Sequence, residues 1–526
     1  MLEKTYEIFK NKQLHQDQNR IISQLKFGYL LSKENDGKYD ILLQTAEKHI
    51  QQSLAKNNLK SSDLVAEVEN ILQPLSKLAK SYEMLCVAHA HIDMNWQWGY
   101  DETVMTVIDT METMLQILKE YPEYKFSQSQ ASVYKILEDY RPDLVDEIKY
   151  YIKQGRWEVS ASTWVEADKN MPSGESLARQ TLYAKSYLSK LLDIDLNKLD
   201  LDFEPDTFGH SEFIPEILVN SGVKYYYHCR GEESLNYLYR WIAPSGAEIL
   251  TYREPNFYNA TIDSDIGLTV PEIARITKNK SVLKVYGVGD HGGGPTRRDI
   301  ERIIDMNTWP IYPKLRFSTY KEYFTIVSKN IEKLPKLKGE RNFLCDGCLT
   351  SQSKIKEGNR KCEKMLYAVE SFSNISSQLT DNQYNTKSLS NAWQKVLFNQ
   401  FHDILTGSCT AEAKHHALGL YQEAMATIKS TQKVVLKNIG AKIDTSKFLV
   451  ENDPNADISY GAGAGHMQSG SHSGKTRIYN VFNPLTYELK KICDITVWDY
   501  EGDFNRILVK DENDRSFYIR YKNEYW

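Results

Sequence analysis

Residues 84–93 read Met84-Leu85-Cys86-Val87-Ala88-His89-Ala90-His91-Ile92-Asp93, an apolar run that ends in ionisable side chains. Similar apolar runs occupy residues 198–203, 223–228 and 282–288, and helical periodicity separates them, as in Thr103–Leu118 and Pro142–Lys153. Strands that alternate with helices are typical of βαβ units and of a largely parallel sheet or barrel. Catalytic side chains in such folds gather at the carboxyl ends of the strands. Residues 81–340 are therefore predicted to form a catalytic domain with a β/α barrel-like fold.

The segments on either side of this domain have different residue patterns. Residues 1–80 carry apolar positions at three- and four-residue steps, which predicts a helical region, and residues 341–450 show the same periodicity, which predicts a helical-bundle middle domain. Residues 451–475 are rich in Gly, Ser, Asn and Asp, a composition typical of a flexible linker. The alternating pattern from 476 to 526 predicts the start of an all-β domain. The predicted fold class is thus multidomain α/β.

Composition and charge exclude several classes of partner. The 526 residues include 65 basic and 70 acidic side chains spread along the chain, without the basic stripe of a nucleic-acid-binding protein. Nothing approaches the apolar run of about 18 residues that a membrane span needs. The first residues lack the apolar core of a secretory signal, and the seven cysteines are too scattered for a disulfide framework. We therefore expect a cytoplasmic protein with neither nucleic-acid nor membrane partners.

The end of the first apolar run carries candidate metal ligands. Alternation along a strand places His89, His91 and Asp93 on one side. An imidazole and a carboxylate two residues apart at a strand end can bind Zn²⁺ together. A His-x-Asp pattern without metal is the alternative, and the apolar strand that runs into the cluster favours a metal because buried charges need partners. Both interpretations stay open on the residues alone.

Three acidic residues alternate in the stretch Leu201-Asp202-Phe203-Glu204-Pro205-Asp206-Thr207-Phe208-Gly209-His210-Ser211. Asp202, Glu204 and Asp206 fall on one face of a strand. Pro205 suits a strand terminus. The residues alone do not choose between Glu204 and Asp206 as a working carboxylate, and an edge strand with solvated acids is the competing explanation.

Two further segments place His and Asp beside each other. The glycine-rich stretch Tyr286–Thr296 follows an apolar run, and its backbone can approach a ligand closely while it presents Asp290 and His291. Its spacing fits neither the dinucleotide nor the Walker fingerprint, and a plain flexible loop is the alternative. His402 and Asp403 stand at the end of a helical stretch, where a helix cap or an ion pair also explains them.

Taken together and in this order, the four segments resemble the signatures of glycoside hydrolase family 38. Further stretches carry the same resemblance: Trp164-Val165-Glu166-Ala167-Asp168, Tyr239-Arg240-Trp241, Leu349-Thr350-Ser351-Gln352-Ser353 and Asn480-Val481-Phe482-Asn483-Pro484. The resemblance covers residues 82–490. It implies a zinc-dependent retaining α-mannosidase that hydrolyses terminal α-linked mannose from oligosaccharides or glycans through a covalent mannosyl-aspartate intermediate.

The resemblance also implies roles for particular residues. One Zn²⁺ per chain would have four ligands: His91, Asp93, Asp206 and His402. Co²⁺ or Mn²⁺ would suit the same ligands. Asp206 would also be the nucleophile, and Asp290 the general acid/base. The implied substrate contacts are Trp96, Trp164, His291 and Asp403.

The chain departs from the family pattern at three places, one of which is Thr406, where a proline is often found. Members that trim glycans in animals have two histidines where this chain has Phe401-His402, and Pro-Gly where it has Met94-Asn95. The greater similarity to bacterial and vacuolar members implies oligosaccharide catabolism rather than glycan maturation. Large members often associate, so a homo-oligomer fits the resemblance. Members usually continue through further β-domains, so we expect metal binding from these residues, and turnover without such domains is an open question.

Two other functions compete with this interpretation. A metal-dependent deacetylase or amidohydrolase on a similar barrel would use His and Asp ligands near strand ends, but it would not need Asp206 and Asp290 as paired carboxylates. A truncated, non-catalytic mannoside-binding protein would bind the sugar without turnover. Product identity separates the first alternative from a mannosidase, and calorimetry beside a hydrolysis assay separates the second.

Overall fold

The computed structural model describes residues 16–56, 61–232, 234–342, 344–445, 478–495 and 503–520. The predicted flexible linker at 451–475 lies outside the described residues, as does the first part of the predicted N-terminal helical region. The chain is organised in two compact units. The larger contains the described residues up to 366 together with 386–428, and the smaller contains 367–385 together with the described residues from 429 onward.

Helices precede the first strand in the region where apolar periodicity predicts them. They are α1 Gln16–Lys33, α2 Asp40–Lys56, α3 Ser61–Leu72 and α4 Ser76–Ala79. The apolar positions face the interior, and Ile21, Leu25, Leu43, Val68 and Leu72 are buried. This periodicity gives each helix one apolar face, and burial of that face stabilises the fold.

The strands of the larger unit belong to two sheets. In chain order they are β1 Glu83–His89, β2 Phe126–Gln128, β3 Trp157–Val159, β4 Leu201–Glu204, β5 Tyr225–His228, β6 Leu238–Ile242, β7 Glu248–Arg253, β8 Ser281–Tyr286, β9 Lys314–Phe317 and β10 Lys336–Lys338. The first sheet has the order β3-β2-β1-β8, and β9 pairs with the first half of β1. The second has the order β10-β6-β7-β5-β4.

Parallel pairing decides which strand ends meet. β1 and β8 run parallel in register from Glu83 opposite Ser281 to Ala88 opposite Tyr286, so the segments that follow them emerge side by side. β4 and β5 run parallel with Glu204 opposite His228. Pairing in both sheets is parallel except for the antiparallel pair β6 and β7. The prediction of a largely parallel α/β architecture is confirmed.

The helices that connect and cover these strands follow in chain order. They are α5 Tyr100–Glu120, α6 Ala131–Tyr140, α7 Pro142–Lys153, α8 Gly174–Leu192, α9 Ile214–Asn220, α10 Val270–Thr277, α11 Arg297–Thr308 and α12 Tyr320–Ser328. Local sequence sets several of their boundaries. Thr296 and Asp299 form a reciprocal capping box at the start of α11, and the Ser173 side chain caps α8. Proline in the first turn of α7 and α9 gives up no helical hydrogen bond.

Both sheets contribute to one hydrophobic core. Leu85 of β1 and Val285 of β8 join Phe203 of β4 and Leu250 of β7, and Tyr323 of α12 completes the contact. β1 is buried along nearly its whole length, as is usual for a parallel strand covered on both faces. Pairing among the described residues keeps the strands in two separate sheets, so closure into a barrel is not confirmed.

The helical region after the sheets contains α13 Ser353–Leu379, α14 Thr386–Phe398 and α15 Ala411–Gly440. Near the end of the chain, β11 Val509–Lys510 and β12 Ser516–Phe517 form a short antiparallel pair. The described residues 478–495 contain no strand, although the alternating pattern at 478–482 predicts one. The predicted all-β domain is therefore not confirmed. Among the described helices, none has the length and apolar character to cross a bilayer.

Candidate active site

Buried ligand-type side chains meet beyond the end of β1. The chain continues from β1 through His91 and Asp93, and His402 comes from the turn after α14. His91 Nε2 lies 2.9 Å from Asp93 Oδ1, and His402 Nε2 lies 3.5 Å from the same oxygen. All three side chains are at most 2% exposed. We refer to these three residues as the His–Asp cluster.

A second contact orients each histidine of the cluster. His402 Nδ1 lies 2.9 Å from the carbonyl oxygen of Glu166, and a carbonyl only accepts, so Nδ1 carries the hydrogen and the Nε2 lone pair faces Asp93. His91 Nδ1 lies 2.9 Å from the Glu166 carboxylate. Glu166 therefore supports both rings, as outer partners do for metal-binding histidines. His89 groups with His91 and Glu166 rather than with Asp93.

The donor atoms of the cluster fit a metal ion. His91 Nε2, Asp93 Oδ1 and His402 Nε2 are buried, and none of them receives or makes a hydrogen bond of good geometry within the part of the chain that the structure describes. They nevertheless lie within 4.8 Å of one another. A buried polar atom without a partner costs about 1–3 kcal/mol. A divalent cation would satisfy all three atoms at once, and imidazole nitrogen with carboxylate oxygen is a donor set that suits zinc.

The charges around the cluster favour a cation. Burial opposes protonation of His402, but surrounding carboxylates, first among them Asp93, raise its pKa to about 9. Burial also opposes charge on His91, and Glu166 and Asp93 nevertheless hold its pKa well above the usual value. The carboxylates that raise the pKa of both imidazoles provide a field that also favours one divalent ion.

Asp206 approaches the cluster from the end of β4. Its Oδ2 lies 4.0 Å from His402 Nε2, and its Oδ1 accepts a hydrogen bond of 2.5 Å from Arg230 Nε. Strand register explains the second contact. Because Glu204 is opposite His228 in the parallel pair β4 and β5, the residues two positions further on lie side by side.

Glu204, the other carboxylate that the sequence leaves open, has a different environment. Its Oε1 lies 2.7 Å from Lys169 Nζ, which also lies 2.9 Å from Asp202 Oδ2. All three side chains are at most 2% exposed, and Thr207 Oγ1 donates to the second Glu204 oxygen. Glu204 is thus part of a buried ion triad below the site, whereas Asp206 lies beside the His–Asp cluster.

Removal of Lys169, the positively charged member of this triad, should strongly destabilise the protein. We expect Lys169→Met to lower the free energy of unfolding by about 3–5 kcal/mol, because Asp202 and Glu204 lose the charge that compensates them in the interior. Urea denaturation measures the change. Lys149→Met is the matched control, since Lys149 pairs with Asp146 at the surface and such pairs contribute about 0–1 kcal/mol. Equal losses in the two variants would contradict a structural role for the triad.

The glycine-rich loop after β8 packs against the segment that carries His91 and Asp93. The Asp93 N–H donates to the Asp290 carbonyl oxygen at 2.9 Å, and the Gly292 N–H donates to the His91 carbonyl oxygen at 3.2 Å. Gly287 has a φ of +136°, and a Cβ there would lie 2.1 Å from a carbonyl oxygen of β1, so only glycine permits this approach. Asp290 has a left-handed backbone with φ 53°, and its side chain is 34% exposed.

Two of the predicted substrate contacts lie near the His–Asp cluster. Asp403 is close to it in space, and Trp96 follows Asp93 closely in the sequence. Asp403 Oδ2 is 3.8 Å from His402 Nε2, and the Ser408 hydroxyl donates to Asp403 Oδ1. Burial raises the pKa of Asp403 to about 7. Trp96 is partly exposed and packs edge-on against Trp98, with ring centroids 5.8 Å apart.

The other two predicted substrate contacts differ sharply in burial. His291 is largely exposed, and its Nδ1 contacts the Asp290 carboxylate. Trp164 is buried, with its ring against Tyr187 of α8 at 5.4 Å between centroids. The contact between Trp164 and a substrate therefore stays a prediction.

Three further residues at the site have no signal of their own in the sequence pattern. Glu166 lies in an irregular segment, although it belongs to one of the stretches that carry the family resemblance. Arg230 follows β5 by two residues and could be found from the pairing of β5 with β4. Tyr258 is buried with its ring 4.8 Å from that of His91, and its position in a loop gives no periodic pattern.

Comparison with known proteins identifies two consecutive domains. Residues 81–340 match the glycosyl hydrolases family 38 N-terminal domain, and residues 344–439 match the alpha mannosidase middle domain. The first match contains the His–Asp cluster except for His402, together with Asp206 and Asp290, and the second contains His402 and Asp403.

Individual relatives agree with this assignment. The chain is 33% identical over 352 residues to alpha-mannosidase G of Dictyostelium discoideum, and 32% identical over 398 residues to an alpha-mannosidase of Saccharomyces cerevisiae. These matches cover 65% and 71% of this chain but 32% and 35% of the relatives, so the chain spans about a third of their length. The crystal structure of an alpha-mannosidase from Enterococcus faecalis V583 has the same fold, with a TM-score of 0.63 at 20% identity over 70% of this chain and 44% of that one. Because both of its matched domains are those of one enzyme family, in order over residues 81–439, the chain belongs to glycosyl hydrolase family 38.

Proposed function

We propose that this chain carries the catalytic site of a zinc-dependent retaining α-mannosidase, which removes terminal α-linked mannose from oligosaccharides. The observation that carries the proposal is the convergence of four side chains from three parts of the fold: His91, Asp93, Asp206 and His402. Their donor atoms lie close together in a buried pocket, as a metal-binding sugar hydrolase requires. The α-mannosidases of D. discoideum and S. cerevisiae align with this chain over long stretches and support the same activity.

The four side chains would act together as the ligands of one Zn²⁺, and Co²⁺ or Mn²⁺ would suit the same donors. The bound ion would engage adjacent hydroxyls of the mannose and favour the distorted ring of an oxocarbenium-like transition state. The protein's own contribution is orientation. Glu166 holds both histidine rings, and Arg230 holds one oxygen of Asp206.

Asp206 and Asp290 would act as a pair of carboxyl groups. In the first step Asp206 attacks the anomeric carbon, the glycosidic bond breaks, and Asp290 gives its proton to the leaving oxygen. In the second step Asp290 takes a proton from water, the water oxygen attacks the same carbon, and the bond to Asp206 breaks. Two displacements at one carbon return the mannose with its original configuration.

The surroundings of Asp290 support its share of this chemistry. The loop that carries it is hydrogen-bonded to the segment of His91 and Asp93, which supports a position near the proposed site. Its side chain is partly exposed, so it can exchange its proton with solvent between the two steps. Asp206, by contrast, accepts a charge-assisted hydrogen bond from Arg230, which fixes one of its oxygens.

Asp403 and Trp96 would recognise the sugar. The buried carboxylate of Asp403 beside His402 can accept hydrogen bonds from hydroxyl groups, and the ring of Trp96 can pack against the apolar face of the mannose. His291 and Trp164 would be further substrate contacts, a role that rests on the family resemblance alone. A role in oligosaccharide catabolism in the cytoplasm, with the chain as part of a homo-oligomer, completes the proposal.

Removal of the metal should abolish activity reversibly. After treatment with a chelator and dialysis, we expect release of nitrophenol from an aryl α-mannoside to fall by more than about 100-fold, because the ion stabilises the charged transition state. Addition of one equivalent of Zn²⁺ should restore the rate, and metal analysis should give one zinc per chain. The corresponding aryl β-mannoside is the control and should not be hydrolysed before or after metal addition.

Each competing function gives a different result in the same assay. Full activity in the metal-free protein would contradict the zinc dependence. Release of acetate or amine from a matching substrate, with no free mannose from mannosides, would support the deacetylase or amidohydrolase alternative. Mannoside binding by calorimetry without hydrolysis would support a non-catalytic binding protein.

A further inference from the structure

Two buried histidines converge on one backbone carbonyl beside the proposed nucleophile. His228 Nδ1 lies 2.7 Å from the carbonyl oxygen of Arg230, and His210 Nε2 lies 3.2 Å from the same oxygen. Neither imidazole has measurable exposure. A carbonyl oxygen only accepts hydrogen bonds, so each of these ring nitrogens carries a hydrogen and donates it.

Tyrosine hydroxyls occupy the other nitrogen of each ring. The Tyr226 hydroxyl lies 2.7 Å from His210 Nδ1, and the Tyr239 hydroxyl lies 2.7 Å from His228 Nε2. Since these nitrogens have no hydrogen to give, the hydroxyls donate to them. Burial is the main cause that lowers the pKa of His228 to about 3, and it also lowers that of His210 well below its usual value. Both rings are therefore neutral, and each has one tautomer.

The backbone carbonyl that the two histidines hold belongs to Arg230, whose side chain binds Asp206. Arg230 Nε donates to Asp206 Oδ1, and its guanidinium group lies over the rings of Phe208 and Phe257. The next residue, Gly231, has a φ of +86°, and a Cβ there would lie 2.2 Å from a backbone carbonyl oxygen. The backbone is thus fixed by hydrogen bonds at the Arg230 carbonyl and by close packing directly after it.

We propose that four residues form a positioning network that sets the rotamer of Asp206 through Arg230: His210, Tyr226, His228 and Tyr239. With Oδ1 held by Arg230, Oδ2 faces His402, so the network gives the two oxygens of one carboxylate different surroundings. The four side chains are positioning residues, because they act through Arg230 on Asp206. The inference rests on the proposed function, since it concerns the nucleophile of that reaction.

The tyrosine hydroxyls offer the mildest test of the network. The Tyr226→Phe/Tyr239→Phe double variant removes both hydroxyl donors and keeps all four rings in place. Tyr227→Phe is the matched control, because Tyr227 is on the same strand, is equally buried, and bonds Glu254 through its hydroxyl at 3.2 Å. Thermal unfolding of each variant establishes that it is folded before the comparison.

The first readout is the rate at which a 2-deoxy-2-fluoro-α-mannosyl fluoride labels Asp206. The carboxylate forms a bond to the anomeric carbon and fluoride leaves, so the rate reports the attack itself. We expect labelling about tenfold slower in the double variant, with KM for an aryl mannoside changed by less than about twofold, and an unchanged rate in Tyr227→Phe. Equal rates in the double variant and the control would overturn the proposal.

The same substitutions in an Arg230→Met background separate positioning from general destabilisation. If the network acts through Arg230, removal of the two hydroxyls should slow labelling no further once the guanidinium group is gone. A tenfold loss in both backgrounds would mean that the tyrosines act by another route, and the proposal would be wrong.

A second readout needs no turnover. Phenylglyoxal modifies accessible guanidinium groups, and the Arg230 side chain is 28% exposed. Release of its backbone should make Arg230 react several-fold faster in the double variant than in the wild type or Tyr227→Phe, as followed by peptide mass spectrometry. Unchanged reactivity would overturn the network. A wild-type chain that hydrolyses no α-mannoside would count against the proposed function, and the Arg230 reactivities would still decide on the network.

Discussion

In the Asp206→Ala protein, we expect hydrolysis of every α-mannoside to fall by about 10⁴-fold or more, whatever the leaving group. In the proposed mechanism the substitution removes the atom that would form the covalent intermediate, so no improvement in the leaving group would compensate for it. Because Asp206 Oδ2 lies beside His402, the affinity for zinc should fall in the same variant. Steady-state kinetics and metal analysis on one preparation measure both effects.

Added azide distinguishes loss of the nucleophile from a general collapse of the site. With Asp206 shortened, azide can enter the space of the carboxylate and attack the anomeric carbon once, which gives a β-mannosyl azide with inverted configuration. Glu204→Gln is the comparison, since Glu204 is held by Lys169 in the buried triad. That variant should keep zinc and the retaining outcome. Full activity in Asp206→Ala, with loss of labelling in Glu204→Gln, would instead identify Glu204 as the nucleophile.

In the Asp290→Ala protein, the loss should depend on the leaving group. We expect kcat/KM for an unactivated mannobioside to fall by about 10²–10⁴-fold, because the departing alkoxide needs a proton. A dinitrophenyl mannoside needs no such help, so its first step should be nearly unaffected. The second step still lacks its base, and the covalent intermediate should accumulate, visible as a burst of dinitrophenol followed by slow turnover.

Azide gives the complementary result for this variant. It needs no base, so it should speed the second step and yield an α-mannosyl azide with retained configuration. Asp263→Ala is a suitable control, because Asp263 is an exposed carboxylate in the same unit. If Asp290→Ala lowered kcat/KM equally for activated and unactivated mannosides, Asp290 would not be the general acid/base.

Much of the site could be predicted from sequence because it follows regular strands. The ends of β1, β4 and β8 are marked by apolar runs that give way to His91, Asp206 and Asp290. Periodicity finds such runs, and parallel pairing then places the ends of β1 and β8 side by side, whereas β4 belongs to the other sheet. The sequence pattern did not separate Glu204 from Asp206, because both fall on the same face of a strand. Their contacts distinguish them: Glu204 pairs with Lys169, whereas Asp206 lies beside His402 and accepts a hydrogen bond from Arg230.

The parts that could not be predicted depend on contacts between distant segments. Glu166 supports the histidines through one side-chain and one backbone contact, neither of which leaves a periodic trace in sequence. The antiparallel pair β6 and β7 interrupts the expected alternation of strands and helices. The turn at Ser245-Gly246 joins the two strands as a hairpin, which the predicted βαβ units did not include. Closure into a barrel was inferred from alternation alone, which does not specify whether strands form one sheet or two.

The hydrogen bonds between the glycine-rich loop and the segment of His91 and Asp93 have a thermodynamic consequence. Asp93 and Asp290 share one of these bonds, and His91 and Gly292 share another, so the two segments do not adjust independently. If an ion binds the segment of His91 and Asp93 and a sugar binds the glycine-rich loop, a single coupling free energy links the two binding events. Linkage is reciprocal: the factor by which the ion strengthens sugar binding equals the factor by which the sugar strengthens retention of the ion.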